Sequence, residues 1–258
     1  MNLDLNTILE GWPHEPGQLR ARKVQGIDGR EKIQLRLDLG LIQMECEGRP
    51  DGLEPHGFTS LLDWHMARAR SAEKKGQQYT ITGDDCGYLH QEGIQFYHRY
   101  LAFFQLEDYP AALRDTKHNL DLFSFVNRHA EHEEMAWSFE QFRPYVMMMH
   151  TRARASLALQ REGLDVALRY VEEGRDAIAE LFAKQPDGPE SCSEVDFLND
   201  WMEELKSKRP LSKEERLQRE MEAAVSAEAY ERAAELRDAI RALQAPLPPP
   251  KRRRKKVE

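Results

Sequence analysis

Cysteine is scarce in this chain of 258 residues: three are present, Cys46, Cys86 and Cys192, far apart. Thiols this scattered make neither a disulfide framework nor a CxxC zinc site, and they suit a reducing compartment. Long apolar runs are missing too. No stretch reaches eighteen apolar residues, so no membrane-spanning helix is expected. The opening MNLDLNTILEGWPHEP has no basic n-region and no apolar h-region, so no secretory signal is expected and a cytoplasmic location follows. Thiolate enzymes, secreted mini-proteins and transporters are thereby disfavoured.

What the chain does have is 40% hydrophobic and 32% charged residues, enough for one or two packed domains. The charge is uneven. The net is -8, yet the last eight residues, KRRRKKVE, contribute +5, which leaves -13 on the first 250. An acidic body repels phosphates and a basic tail attracts them. Lys251, Arg252, Arg253, Arg254, Lys255 and Lys256 are therefore read either as a solvated end or as a nucleic-acid contact. Residues 246–258 as a whole read as a disordered, proline-rich basic tail.

Residues 1–55 read as a small antiparallel β element. Ile33, Leu35, Leu37 and Leu39 alternate with Lys32, Gln34, Arg36 and Asp38, the period of a strand with one buried face. After Gly40 the phase flips to Ile42, Met44 and Cys46, which suggests a bulge or bend. Gly26-Ile27-Asp28-Gly29 reads as the turn from an earlier strand near Leu19–Val24. So few strands need a cover, from the helices or from a second copy of the chain.

Residues 56–208 read as helices. Phe58–Lys75 places Leu61, Leu62, Trp64, His65 and Met66 on its apolar side. Tyr88–Leu106 spaces Ile94, Tyr97, Leu101 and Phe104 by three and four. Asp108–Arg114 and Gly163–Arg169 then echo each other at an offset of 55 residues, pairing Tyr109 with Leu164 and Ala112 with Ala167. Each opens a helix after a short turn. The arrangement resembles the helix-turn-helix of tetratricopeptide repeats, at a longer spacing and with most signature positions changed. An array of helical hairpins is expected, with an inserted loop around Asn127–Glu134. Such arrays bind proteins along a concave face. A breaker at Lys184–Glu190 precedes a helix start at Ser193 and Asp196, and Pro210 ends that helix.

Residues 211–245 carry the most specific signal. Ser212 to Glu215 reads as a capping box, and Leu217, Met221 and Ala224 follow as one stripe. Ser226 is placed to cap a second helix, in which Ala233, Leu236, Ile240 and Leu243 repeat at three and four. Glu228 and Arg232 form an i,i+4 pair. The result is a short antiparallel helical hairpin with small residues at the crossing.

The run from Met221 to Ile240 resembles the UVR motif. That motif is shared by the B and C subunits of bacterial excinuclease, by some Clp-type chaperone ATPases and by the activator of a protein-arginine kinase. Its pattern is Met-x-x-Ala, then an aromatic followed by Glu-x-Ala-Ala-x-Leu-Arg-Asp-x-Ile. Met221, Ala224, Tyr230, Glu231, Ala233, Ala234, Leu236, Arg237, Asp238 and Ile240 fit it, with Tyr230 where phenylalanine is commoner. The resemblance implies a protein-contact hairpin with no catalytic role. It also implies partner-facing roles for these residues, with either Arg237 or Asp238 fixing the helix crossing and the other meeting the partner. The chain lacks the phosphate-binding loop of the ATPase relatives and the CxxC pairs of the kinase activators.

No catalytic, cofactor-binding or metal-ligating set is expected elsewhere. His129 and His132 beside Glu133 and Glu134 are not spaced as HExxH and read as a polar helix junction. Asp84, Asp85, Cys86 and His90 read as a loop and helix cap, with nothing to lower a thiol pKa. Met147–Met149 and the aromatics of Phe96–Phe104 read as core. The expected function is therefore a non-enzymatic adaptor that binds proteins through the hairpin and the helical body, with the β element as a candidate self-association surface. The alternative is an accessory of bacterial nucleotide excision repair that contacts an excinuclease subunit and lays its tail on DNA.

Overall fold

The computed structural model describes residues 4–183, 192–208, 213–227 and 229–244. The chain divides into two compact units, Met1–Leu205 and Lys206–Glu258. The Lys184–Glu190 breaker, Pro210, Ser212, Glu228, the side chain of Leu243 and the basic tail lie outside the described residues.

The first unit opens with a three-stranded antiparallel sheet in the order β1 (Ala21–Gln25), β2 (Glu31–Arg36), β3 (Leu41–Glu45). The strand at β2 is shorter than its alternation suggests. It ends at Arg36, and Asp38–Leu39 form a two-residue loop closed by Leu37 N donating to Gly40 O at 2.9 Å. Leu37 and Leu39 thus leave the buried face, and Leu39 is 91% exposed. The phase flip at Gly40 is a hairpin and not a bulge, because the chain reverses there and enters β3. At the other hairpin Gly29 has φ 76°, a conformation glycine adopts without penalty.

Both faces of the sheet are covered. Ile33, Leu35 and Met44 pack on Ala102, Phe103, Ala112 and Ala153 of the helical body. On the opposite face Gln34 is buried between Arg22 and Gln43, at 2.8 Å from each. The one-turn helix α1 (Asn6–Leu9) and Trp12 attach to this side. Arg22 lies 4.1 Å over the Trp12 ring and donates to Ile8 O, and Arg36 donates to Trp12 O.

The helices follow as α2 (Leu61–Lys74), α3 (Gly83–Gln105), α4 (Tyr109–His129), α5 (Glu133–Glu140), α6 (Arg143–Arg161), α7 (Leu164–Ala183) and α8 (Ser193–Ser207). Ser60 caps α2, and Thr82 with Asp85 makes a complete capping box on α3. α3 with α4 and α6 with α7 form two hairpins, joined where α4 packs on α6. The 55-residue echo has a structural counterpart. Asp108 N donates to Phe103 O and Gly163 N to Ala158 O, each at 2.9 Å, and Ala112 and Ala167 are both fully buried. The expected loop around 127–134 narrows to residues 130–132, between the end of α4 and the start of α5.

The buried face of α3 differs from the one its spacing suggests. Leu89, Phe96, Tyr100 and Phe103 are interior, whereas Ile94 and Tyr97 are exposed. Arg99 explains the shift. It is fully buried on that inner face and donates to both carboxylate oxygens of Asp115 on α4, at 2.6 and 2.9 Å. Its remaining nitrogen donates to Glu45 O and Gly48 O, which ties the end of β3 to the helices. Burial of this charged side chain thus goes with a different inner face of α3.

Candidate interaction site

The second unit is the hairpin of α9 (Lys213–Ser226) and α10 (Tyr230–Gln244). α9 ends where its backbone tightens: Ala229 N donates to Ala224 O at 2.8 Å, and α10 begins one residue later. Ser226 does not cap the second helix. Its hydroxyl donates back to Glu222 O at 3.0 Å, because Ser226 is still the last residue of α9.

The two helices meet on small residues. Ala224, Ala233 and Leu236 form the buried centre, with Leu217 and Met221 packed at its side, and Ile240 is buried further along α10. Alanine at both crossing positions lets the backbones approach closely. A core of this size is small for an independent fold.

Of the motif residues, Ala224, Ala233 and Ile240 are interior, and Met221 and Ala234 are half-buried. Glu231, Arg237 and Asp238 face solvent. Arg237 and Asp238 correct the expectation that one of them fixes the crossing: the guanidinium folds onto the neighbouring carboxylate at 3.0 Å. Adjacent helical positions lie about 100° apart, so both fall on the outer side once Leu236 and Ile240 point inward. Among the described residues an ion pair that crosses the hairpin is looser, Arg232 to Glu220 at 3.9 Å, with both side chains exposed.

Tyr230 is 66% exposed at the first turn of α10, and Val225 is 50% exposed at the last turn of α9. Two apolar side chains are thus left to solvent close in sequence to the connection between the helices. Val225 escapes sequence reasoning because it falls off the 217–221–224 stripe. The one available signal was a β-branched apolar residue next to a helix end.

The other clusters do not assemble into reactive sites. His129 closes α4 and its Nδ1 lies 2.9 Å from Tyr79 O, while His132 precedes α5, so the two imidazoles share no helix. Cys86 is buried, and its thiol is pushed up, first by desolvation and then by Asp85, the opposite of an activated nucleophile. Asp85 is occupied with the Thr82 cap. Met148 and Met149 are core. No group of three metal-ligating side chains occurs among the described residues, and no helix there is long and apolar enough to cross a membrane.

Comparison with protein-family models matches residues 215–245 to the UvrB/uvrC motif. The chain therefore carries a UVR motif, and that motif coincides with the α9–α10 hairpin. Neither the curated proteins nor the solved structures compared give a match.

Proposed function

We propose that this protein is a non-catalytic interaction adaptor whose UVR hairpin docks on a protein partner through Tyr230 and Val225, while the helical body holds a second one. The reading rests on one observation: a hairpin matching a protein-contact motif leaves Tyr230 and Val225 exposed beside a small alanine–leucine core. An exposed tyrosine close in sequence to an exposed aliphatic residue is the composition of an interface anchor. Because Tyr230 touches little of its own chain, Tyr230→Ala should leave stability within about 0.5 kcal/mol of the parent. It should nevertheless remove partner capture from native-cell extract. Unchanged capture would reduce the hairpin to a structural end-piece.

A second reading rests on the six cations Lys251–Lys256, carried by an otherwise acidic chain. It makes the protein a repair accessory with its tail on DNA. Duplex binding should then weaken with salt at a log–log slope of about -5, and deletion of 251–258 should remove it. Absence of binding at low salt would reject this reading.

A further inference from the structure

Within the first unit, α3 carries two apolar stripes. Leu89, Phe96, Tyr100 and Phe103 are interior. On the neighbouring stripe Ile94 and Tyr97 are exposed, while Leu101 and Phe104 are half-buried. A helix that buries one apolar stripe and leaves another to solvent has surface left for a partner.

α6 runs beside this second stripe in register. The Tyr97 and Tyr145 ring centroids are 6.3 Å apart, and seven residues further along both helices the Arg152 guanidinium lies 5.4 Å from the Phe104 ring. Seven helical residues span about 10 Å, so the two contacts are rungs along one groove. At the Tyr97 end lies a cavity of about 450 Å³, whose lining includes Ile94, Tyr97, Phe142 and Tyr145. Among the described residues no carboxylate lines it. Its two imidazoles offer no negative charge either: His90 is T-shaped against Phe139 at 5.5 Å, and burial holds His98 below the ordinary histidine value.

Arg152 marks the other end. Its guanidinium lies 5.4 Å from the Phe104 ring and 4.8 Å from the Phe197 ring of α8, and it donates to Met149 Sδ at 3.5 Å, a weak acceptor. Arg143 and Arg154 of the same helix are paired with Glu140 and Glu173, but Arg152 has no ion pair among the described residues. Burial holds this guanidinium below the ordinary arginine value, and the groups that oppose the shift are Tyr145 and Tyr109, not a carboxylate. Aromatic rings attract a cation but leave the in-plane N–H donors of a guanidinium open. A half-buried cation in this condition is relieved by a carboxylate from outside the chain.

We propose that this groove docks a short acidic segment of a partner protein, which sets an aspartate or glutamate side chain on Arg152 and apolar side chains along Ile94, Tyr97 and Phe142. The inference rests on the adaptor reading of the helical body and supplies the face and the chemistry for its second partner. One unpaired arginine on a body that is acidic over its first 250 residues favours a single carboxylate over a polyanion, because the surrounding charge repels a phosphate backbone.

The test is selection from a phage-displayed library of random short peptides on immobilised full-length protein, followed by fluorescence polarisation with the best peptide. Enriched peptides should carry an aspartate or glutamate flanked by aromatic or aliphatic residues. Arg152→Gln removes no ion pair, so the variant should melt with the parent yet bind the peptide roughly tenfold more weakly. Replacing the peptide's acid by its amide should weaken binding equally, and combining the two changes should weaken it no further. Ile94→Glu, at an exposed position, should weaken binding as well. Tyr230→Ala should leave it unchanged, so failure of the groove and failure of hairpin docking are read separately. No enrichment, enriched peptides without a carboxylate, or equal affinity for the parent and Arg152→Gln would each overturn the proposal. A dimer of the free protein that Ile94→Glu dissociates would overturn it too, assigning the face to a second copy.

Discussion

Arg99 and Asp115 illustrate how much a single pair can hold. Both side chains are fully inaccessible, and the guanidinium bridges α3, α4 and the turn after β3. A bidentate pair in a dry site satisfies itself, but neither half can stand alone. Asp115→Ala leaves the buried guanidinium without its anion and should cost about 3–5 kcal/mol, read as a lowered urea midpoint. Arg114 donates to Asp115 as well, at 3.0 Å, so the loss reaches a second cation. A midpoint within error of the parent would mean that solvent enters this site. Nothing local in the sequence marks an arginine that will be buried. Its partner lies sixteen positions away on another helix.

Between elements, two glycines of the helical body have opposite meanings. Gly93 has room for a methyl group. Gly174 of α7 does not: a Cβ there would come within 2.1 Å of Thr151 Oγ1, 2.4 Å of its Cγ2 and 2.7 Å of its Cβ, on α6. That close approach sets the spacing of the α6–α7 hairpin. Gly174→Ala should therefore destabilise by about 1–3 kcal/mol through overpacking, although alanine is the better helix former. Thr151→Ala in the same chain should recover part of the loss, because it removes the two nearest atoms and leaves the third. A double-mutant cycle on urea midpoints reads the coupling. Glycine in a helix looks the same in sequence in both places, and only the neighbour across the interface separates them. One helix start was partly legible: Thr82 caps α3 through a side-chain bond to the amide of Asp85, a signal contained in four residues, although the apolar spacing had begun that helix only at Tyr88. Ser60 and Asp108 cap α2 and α4 in the same way. Ser226 had the same residue type and failed as a cap, because whether α9 has already ended there is decided by the fit of the two helices.

For the molecule as a whole, one buried and two half-buried histidines set a pH limit. His65, His98 and His150 are each held below the ordinary histidine value, with burial the largest cause. Asp85 opposes the shift at His65, while Arg154 and Lys117 reinforce it at His150. In the unfolded chain each takes a proton near pH 6.5. Stability from this source is therefore complete above about pH 6.5 and is lost as the pH falls through the depressed folded values, where the unfolded state binds more protons. The urea midpoint should be lower at pH 5.5 than at pH 7.5, and His150→Gln should flatten the difference. An unchanged midpoint would mean that these rings titrate alike in both states.

Properties that depend on neighbours in the chain were determined by the sequence itself. The helical class, the antiparallel β element with its Gly26–Gly29 turn, the 55-residue echo and the C-terminal motif all follow from spacing over a few turns. Periodicity is local, so it survives without a fold. Properties that depend on which surfaces meet were decided by the tertiary structure. It ended β2 at Arg36, turned the inner face of α3 toward Arg99 and Phe103, and left Ile94 and Tyr97 beside a cavity. It also placed Arg99 against Asp115 on the next helix. The physical reason is burial. Hydrogen-bond partners and close contacts are chosen by the elements that pack on a residue, and those lie tens of positions away along the chain.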